Sequence, residues 1–237
     1  MKRALLALAL VGCGALRTDR ATLRGDCPTS SAHIFAQLLA VGPMTPGPEL
    51  ECVLVRLRAG DAGTRHQALA ARVATLLADL QPPGEGREQL AAEGLFYAEQ
   101  ALRARPDDGA AHYQAALGLG MLVEDHPTQA LRELDRLRTH LERAVALRPG
   151  EDDGGPLRVL GLLYLRAPGW PQGPGDPDQA LALLTRAVAE FPGHPDNHLA
   201  LAEARWTVDE DADAARAGLA AAEAALAAAP PGLAAGP

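Results

Sequence analysis

The chain is poor in the residues on which most enzyme mechanisms depend. Its one lysine is Lys2, so none is available for a Walker A loop, a Schiff base or a Ser–Lys dyad. Serine occurs only within Thr29-Ser30-Ser31, which excludes a Gly-x-Ser-x-Gly nucleophile elbow. Asparagine occurs once, at Asn197. The 3 cysteines form no Cys-x-x-Cys, leaving zinc and thioredoxin-like chemistry without an anchor. Aromatic residues make up 3%, so a core must be built from Leu, Ala and Val. Positive charge is scarce as well. The formal net charge is −8, and residues 1–12 contribute Lys2 and Arg3 but no acid. Nucleic acid and anionic lipid both need a basic footprint, and neither is expected as the main partner.

What remains is globular in composition. The 237 residues are 48% apolar and 22% charged, enough for one large domain or two small ones. Met1-Lys2-Arg3 is a short basic start, and Ala4 to Val11 is an apolar run too short to span a bilayer. The run ends in Leu10-Val11-Gly12-Cys13, which resembles the bacterial lipobox. That resemblance implies export, cleavage after residue 12, and lipid attachment to the Cys13 sulfur. Gly14, where an Asp is absent, resembles lipoproteins sorted to the outer membrane, facing the periplasm. In an oxidising compartment the remaining pair, Cys27 and Cys52, is expected to form a disulfide, the alternative being two unpaired thiols. Residues 13–30 then read as an Arg-rich tether, followed by a helical domain over 31–229 and a tail at 230–237.

From Ala32 onward the apolar periodicity is helical, and the expected fold class is all-α. Ile34, Leu38 and Val41 mark a first short helix. Val53, Leu54 and Leu57 mark a second, and Leu69, Val73, Leu76, Leu77 and Leu80 a long third, so that 31–84 forms an N-terminal helical cap. Proline and glycine then punctuate helices predicted at 86–104, 109–123, 127–147, 156–166, 177–190, 195–207 and 211–228. Asp176-Pro177-Asp178-Gln179 is a variant capping box with proline in the first turn.

Helix pairs closed by proline suggest an internal repeat over 85–229. Leu157-x-x-Leu160-Gly161-x-x-Tyr164 resembles the first helix of a tetratricopeptide unit, and Ala180, Leu184, Ala187 and Pro192 follow at second-helix spacing. Gly94, Ala98, Ala101 and Pro106 repeat that spacing. Ala130, Leu134 and Leu137 repeat its start, with Pro149 seven residues late. His198, Leu201, Ala202 and Arg205 open a fourth unit, giving an irregular array of about four. An unrelated alanine-rich bundle is the competing expectation.

A lipobox ahead of such an array resembles the T component of TRAP-type transport systems, periplasmic tetratricopeptide lipoproteins of bacteria. The resemblance covers about residues 90–205. It is carried by Ala98-Glu99-Gln100-Ala101-Leu102, Pro106-Asp107 and Ala111-His112-Tyr113, by Gly154 to Tyr164, Ala167-Pro168 and Gly175-Asp176, and by Asn197 with Ala202-Glu203-Ala204. It implies partnership with a solute-binding protein and a role in delivering small organic ligands. The alternative is a scaffold that takes a peptide or protein during envelope assembly. In either case no enzymatic activity and no cofactor are expected, the membrane is reached by the lipid alone, and a homo-oligomer stays open.

In stacked repeats the first helix of each pair lines a groove. That phase points Arg158, Leu162 and Arg166 inward, joined by Glu203 and Trp206, and by Tyr113 if His112 opens its unit. Two guanidiniums beside apolar residues suit a carboxylate with an organic body; solvated arginines are the plainer alternative. Trp170 is expected either to cover the groove edge or to pin its loop. His194 and His198 are four apart, but Pro195 makes His194 pre-helical and no third ligand is near, so no metal is expected.

Overall fold

A computed structural model describes residues 45, 47–59, 64–124 and 126–228. Within them the chain is all-α. Its helices are α1 (Gly47–Ala59), α2 (Thr64–Asp79), α3 (Glu85–Ala104), α4 (Gly109–Val123), α5 (Pro127–Leu147), α6 (Gly155–Arg166), α7 (Pro177–Glu190), α8 (Pro195–Asp209) and α9 (Ala212–Ala228). The signal segment, Cys13, the tether, Cys27, the helix expected at Ile34–Val41 and the tail lie outside the described residues.

Proline and glycine set the helix ends for identifiable reasons. Pro127, Pro156, Pro177 and Pro195 occupy first-turn positions, where a missing N–H costs no helical hydrogen bond. At α7 the Asp176 carboxylate accepts from the Gln179 N–H at 3.0 Å. The Gln179 side chain does not reach back to the Asp176 N–H as in an ordinary box. That N–H instead bonds the Tyr164 carbonyl at 2.9 Å, and the Gln179 amide donates to the free carboxylate oxygen at 2.8 Å. These bonds, backbone first, hold the Asp176 carboxyl below its ordinary pKa.

The described chain falls into two compact units divided within α4, one reaching to Met121 and the other beginning at Leu122. In the N-terminal unit, Leu50, Val53, Leu54 and Leu57 of α1 pack on Ala70, Val73, Ala74 and Leu77 of α2. Ala71, Ala98 and Ala115 bring α2, α3 and α4 together. Small residues permit this: a Cβ on Gly118 would stand 2.9 Å from the Ala91 carbonyl oxygen. Where α2 meets α4, the buried Thr75 hydroxyl bonds the buried Gln114 side chain. Cys52 on α1 is disulfide-bonded, and its expected partner lies outside the described residues.

From α6 onward each helix packs on the next through a glycine or an alanine. A Cβ on Gly161 of α6 would stand 2.7 Å from Leu184 of α7. Ala200 and Ala204 of α8 cluster with Leu184, and Gly218 of α9 lies against Ala202. Leu134 of α5 meets the α6–α7 loop at Gly173.

One helix-ending hydrogen bond recurs every forty-three residues: Arg105 to Ala101, Arg148 to Ala144, and Phe191 to Ala187, each just ahead of a proline. This corrects the register expected for α5. Leu137, Leu141 and Ala144, all buried, stand at the same distances before Pro149 as Ala180, Leu184 and Ala187 stand before Pro192. Pro149 is therefore not late; the two additional turns are at the start of α5.

Candidate functional site: a polar ladder and two exposed tryptophans

Helical spacing puts Arg158, Leu162 and Arg166 in a row along α6, and the fold sets that row against α8. At its first rung the Arg158 guanidinium donates to the Asn197 side-chain oxygen at 2.7 Å. The Asn197 amide donates to the carbonyls of Asp153 and Phe191, both at 2.9 Å. Arginine only donates and carbonyls only accept, so the amide has a single satisfying orientation. At the middle rung Leu162 and Leu165 pack on the Leu184–Ala200–Ala204 cluster. At the last, Arg166 grips Glu203 with two parallel bonds, Nε to Oε1 at 2.8 Å and Nη2 to Oε2 at 2.6 Å. The pairs 158–197 and 166–203 ascend together, so α6 and α8 run parallel.

The arginines expected to face a ligand both lie in this ladder. Both guanidiniums already have protein partners, and Glu203 is one of them. The Tyr113 side chain is buried in the N-terminal unit. The helix α4 carries only His112 and Gln114 as polar side chains besides the Tyr113 hydroxyl, which left its phase undetermined by periodicity.

Asn197 is the residue that spacing missed. It is fully buried and secures a turn whose backbone is left-handed at Asp152 (φ 47°), Asp153 (φ 48°) and Gly154 (φ 88°). At Gly154 a Cβ would stand 2.7 Å from the Phe191 ring, so glycine answers both the space and the backbone there. Its signals in the sequence were its place among the residues that carry the resemblance and the fact that the chain's sole asparagine stands in the first turn of a helix.

The histidines are committed to the same junctions. His198 Nε2 lies 2.8 Å from the Pro192 carbonyl, and His112 Nε2 lies 2.9 Å from the Pro106 carbonyl, so each ring donates across an inter-helix turn. The His194 Nδ1 accepts from the Asp196 N–H at 3.3 Å. Burial, and then the nearby Arg158 charge, push the His194 pKa below its usual value, against the opposite pull of Asp196, Asp153 and Asp152. Among the described residues no group of three His, Cys, Asp or Glu is placed to hold a metal. None of the described helices is long and apolar enough to cross a membrane.

The two tryptophans face outward. Trp206 lies one turn beyond Glu203 on α8 and is 57% exposed. Trp170 is 89% exposed, and it neither covers a groove nor pins its loop. The loop is fixed without it. Gly175 N bonds the Pro168 carbonyl at 2.8 Å, and Gln172 N bonds the Gly169 carbonyl at 3.1 Å. A Cβ on Gly175 would overlap the Ala167 carbonyl oxygen, so the close return of the loop requires glycine. Below it, the buried Tyr164 hydroxyl donates to Glu142 at 2.9 Å; burial and that bond push its pKa up to about 12.

No protein-family profile matches the sequence, and no curated protein matches it significantly.

Proposed function

We propose that this chain is a non-enzymatic, exported and lipid-anchored binding protein built from tetratricopeptide-like helix pairs, resembling the T component of TRAP-type transport systems. Its role in this proposal is to dock a protein partner, a solute-binding protein, at the periplasmic face of the outer membrane. The lipobox supports the anchoring, and the recurring helix-ending bonds ahead of Pro106, Pro149 and Pro192 support the repeat.

One observation carries the docking role. Trp170 exposes nearly its whole ring from a loop whose backbone is already fixed by internal hydrogen bonds. Because the loop backbone is already ordered, covering the ring need order only its own side-chain torsions, and buried tryptophan is among the strongest contributors to protein interfaces. We do not extend the proposal to a small organic ligand, because Arg158 and Arg166 are engaged by Asn197 and Glu203.

A photo-crosslinking amino acid at position 170, compared with one at exposed position 86, tests the docking role in intact cells. The expected product is one dominant crosslink from 170 to a solute-binding protein, absent from 86. Equal, diffuse labelling from both positions would overturn it. The anchor is tested separately: Cys13→Ala should move the protein from the membrane to the soluble periplasmic fraction, and a variant still wholly membrane-bound would remove the lipid from the proposal.

A further inference from the structure

The helix α9 shows one face to α8 and another to water. Ala222 is buried, and Gly218 lies so close to α8 that a Cβ there would stand 2.9 Å from the Ala202 Cβ. On the open side Arg216, Leu219, Glu223 and Leu226 follow one another at spacings of three, four and three residues. Leu219 is 48% exposed and Leu226 is 40% exposed, and both charged side chains are exposed too. A 3-4 alternation is the spacing by which one helix receives another, and here leucine and a charged residue take turns along it. The outer face of a helical array is ordinarily polar throughout, whereas here leucine and exposed alanine alternate with the two charges.

We propose that this face pairs with the same face of a second copy of the chain, the two α9 helices running antiparallel about a two-fold axis. The charges choose this occupant and this direction. Arg216 and Glu223 are two helical turns apart on the open face, with Leu219 between them. An axis passing midway between them brings each Arg216 to the partner's Glu223, places the two Leu219 side chains near the centre, and leaves Leu226 at the rim of the contact, level with the second copy's position 213. A parallel pair would instead set like charge against like. Glu223 has no ion-pair partner among the described residues. The bond of Arg216 to Asp213 is between two exposed side chains, so little holds it there. At about 1.5 Å per residue the helix offers a contact roughly 25 Å long, the small end of specific interfaces, so the pair is a weak one.

Sedimentation velocity of the purified full chain in mild detergent, from about 1 to about 200 micromolar, reads the equilibrium directly. The expected result is a monomer that becomes a dimer across that range. Glu223→Arg and Arg216→Glu should each weaken dimerisation by about tenfold or more, and the double charge swap should restore it. Both positions are exposed, so helical circular dichroism and melting temperature should be unchanged in all three variants. A monomer at every concentration overturns the proposal, whether residues 229–237 or a different protein covers the face. A dimer indifferent to either reversal, or one that the double swap fails to restore, also overturns it.

Discussion

Asn197 concentrates more consequence than any other single side chain in the C-terminal unit. Asn197→Ala removes one acceptor from the Arg158 guanidinium and one donor each from the Asp153 and Phe191 carbonyls, the latter keeping the His194 N–H, and should cost about 1 to 3 kcal/mol in chemical denaturation. Arg166→Ala should cost far less, about 0.5 to 1 kcal/mol, because its pair with Glu203 is reached by solvent and screened. Titratable residues give the sign of the pH dependence. Tyr164 has a folded pKa raised from 10.0 to about 12, so its contribution is complete below pH 10 and is lost as pH rises toward 12. Tyr164→Phe should flatten the alkaline side of the stability profile in that window. His194 is shifted the other way: its folded pKa lies below 6.5, so stability is present above that value and falls as the solution is acidified. His194→Asn keeps a side-chain acceptor for the Asp196 N–H without a titrating ring, and should lose less stability on acidification. Helical phase sufficed to place Arg158, Leu162 and Arg166 in one row. It could not show what faces the row, because Asn197 and Glu203 arrive from a helix nearly forty residues later, and their approach depends on how α7 packs between.

Helix boundaries were the most legible level, because proline and glycine act through the local backbone. The segments predicted at 109–123, 127–147 and 177–190 coincide with α4, α5 and α7, and the remaining ones from residue 86 onward agree within two residues. The register of α5 was not legible. Ala130, Leu134, Leu137, Leu141 and Ala144 form one continuous 4-3-4-3 stripe, so a 0-4-7 pattern fits it twice, seven residues apart. Only the recurring bond from Arg148 to Ala144 selects the later fit. Glycines separate packing from propensity within helices. Gly86 has open space around it, so Gly86→Ala should stabilise by up to about 1 kcal/mol. Gly161→Ala gains the same propensity but drives a methyl into the fully buried Leu184, and should destabilise by about 1 to 3 kcal/mol. Thermal melts of the two variants should move in opposite directions.

At the scale of the whole molecule, the all-α class followed from periodicity, whereas the division within α4 left no mark in composition, since no turn residue or charge run interrupts that helix where the units part. In such a fold a local defect should be felt most by adjacent helices. Hydrogen exchange of Asn197→Ala should therefore accelerate most in α6, α7 and α8 and least in α1 and α2. Equal acceleration in all five would mean that the described chain opens as one cooperative body. The placement of the tryptophans has an optical consequence. The sequence has 2, Trp170 and Trp206, and both belong to the C-terminal unit with their rings largely in water. Intrinsic emission should thus be red-shifted in the native protein and change little on denaturation, making it a poor gauge of unfolding. The same property makes it a sensitive gauge of company, because a partner that covers Trp170 should shift the emission toward the blue with no label attached.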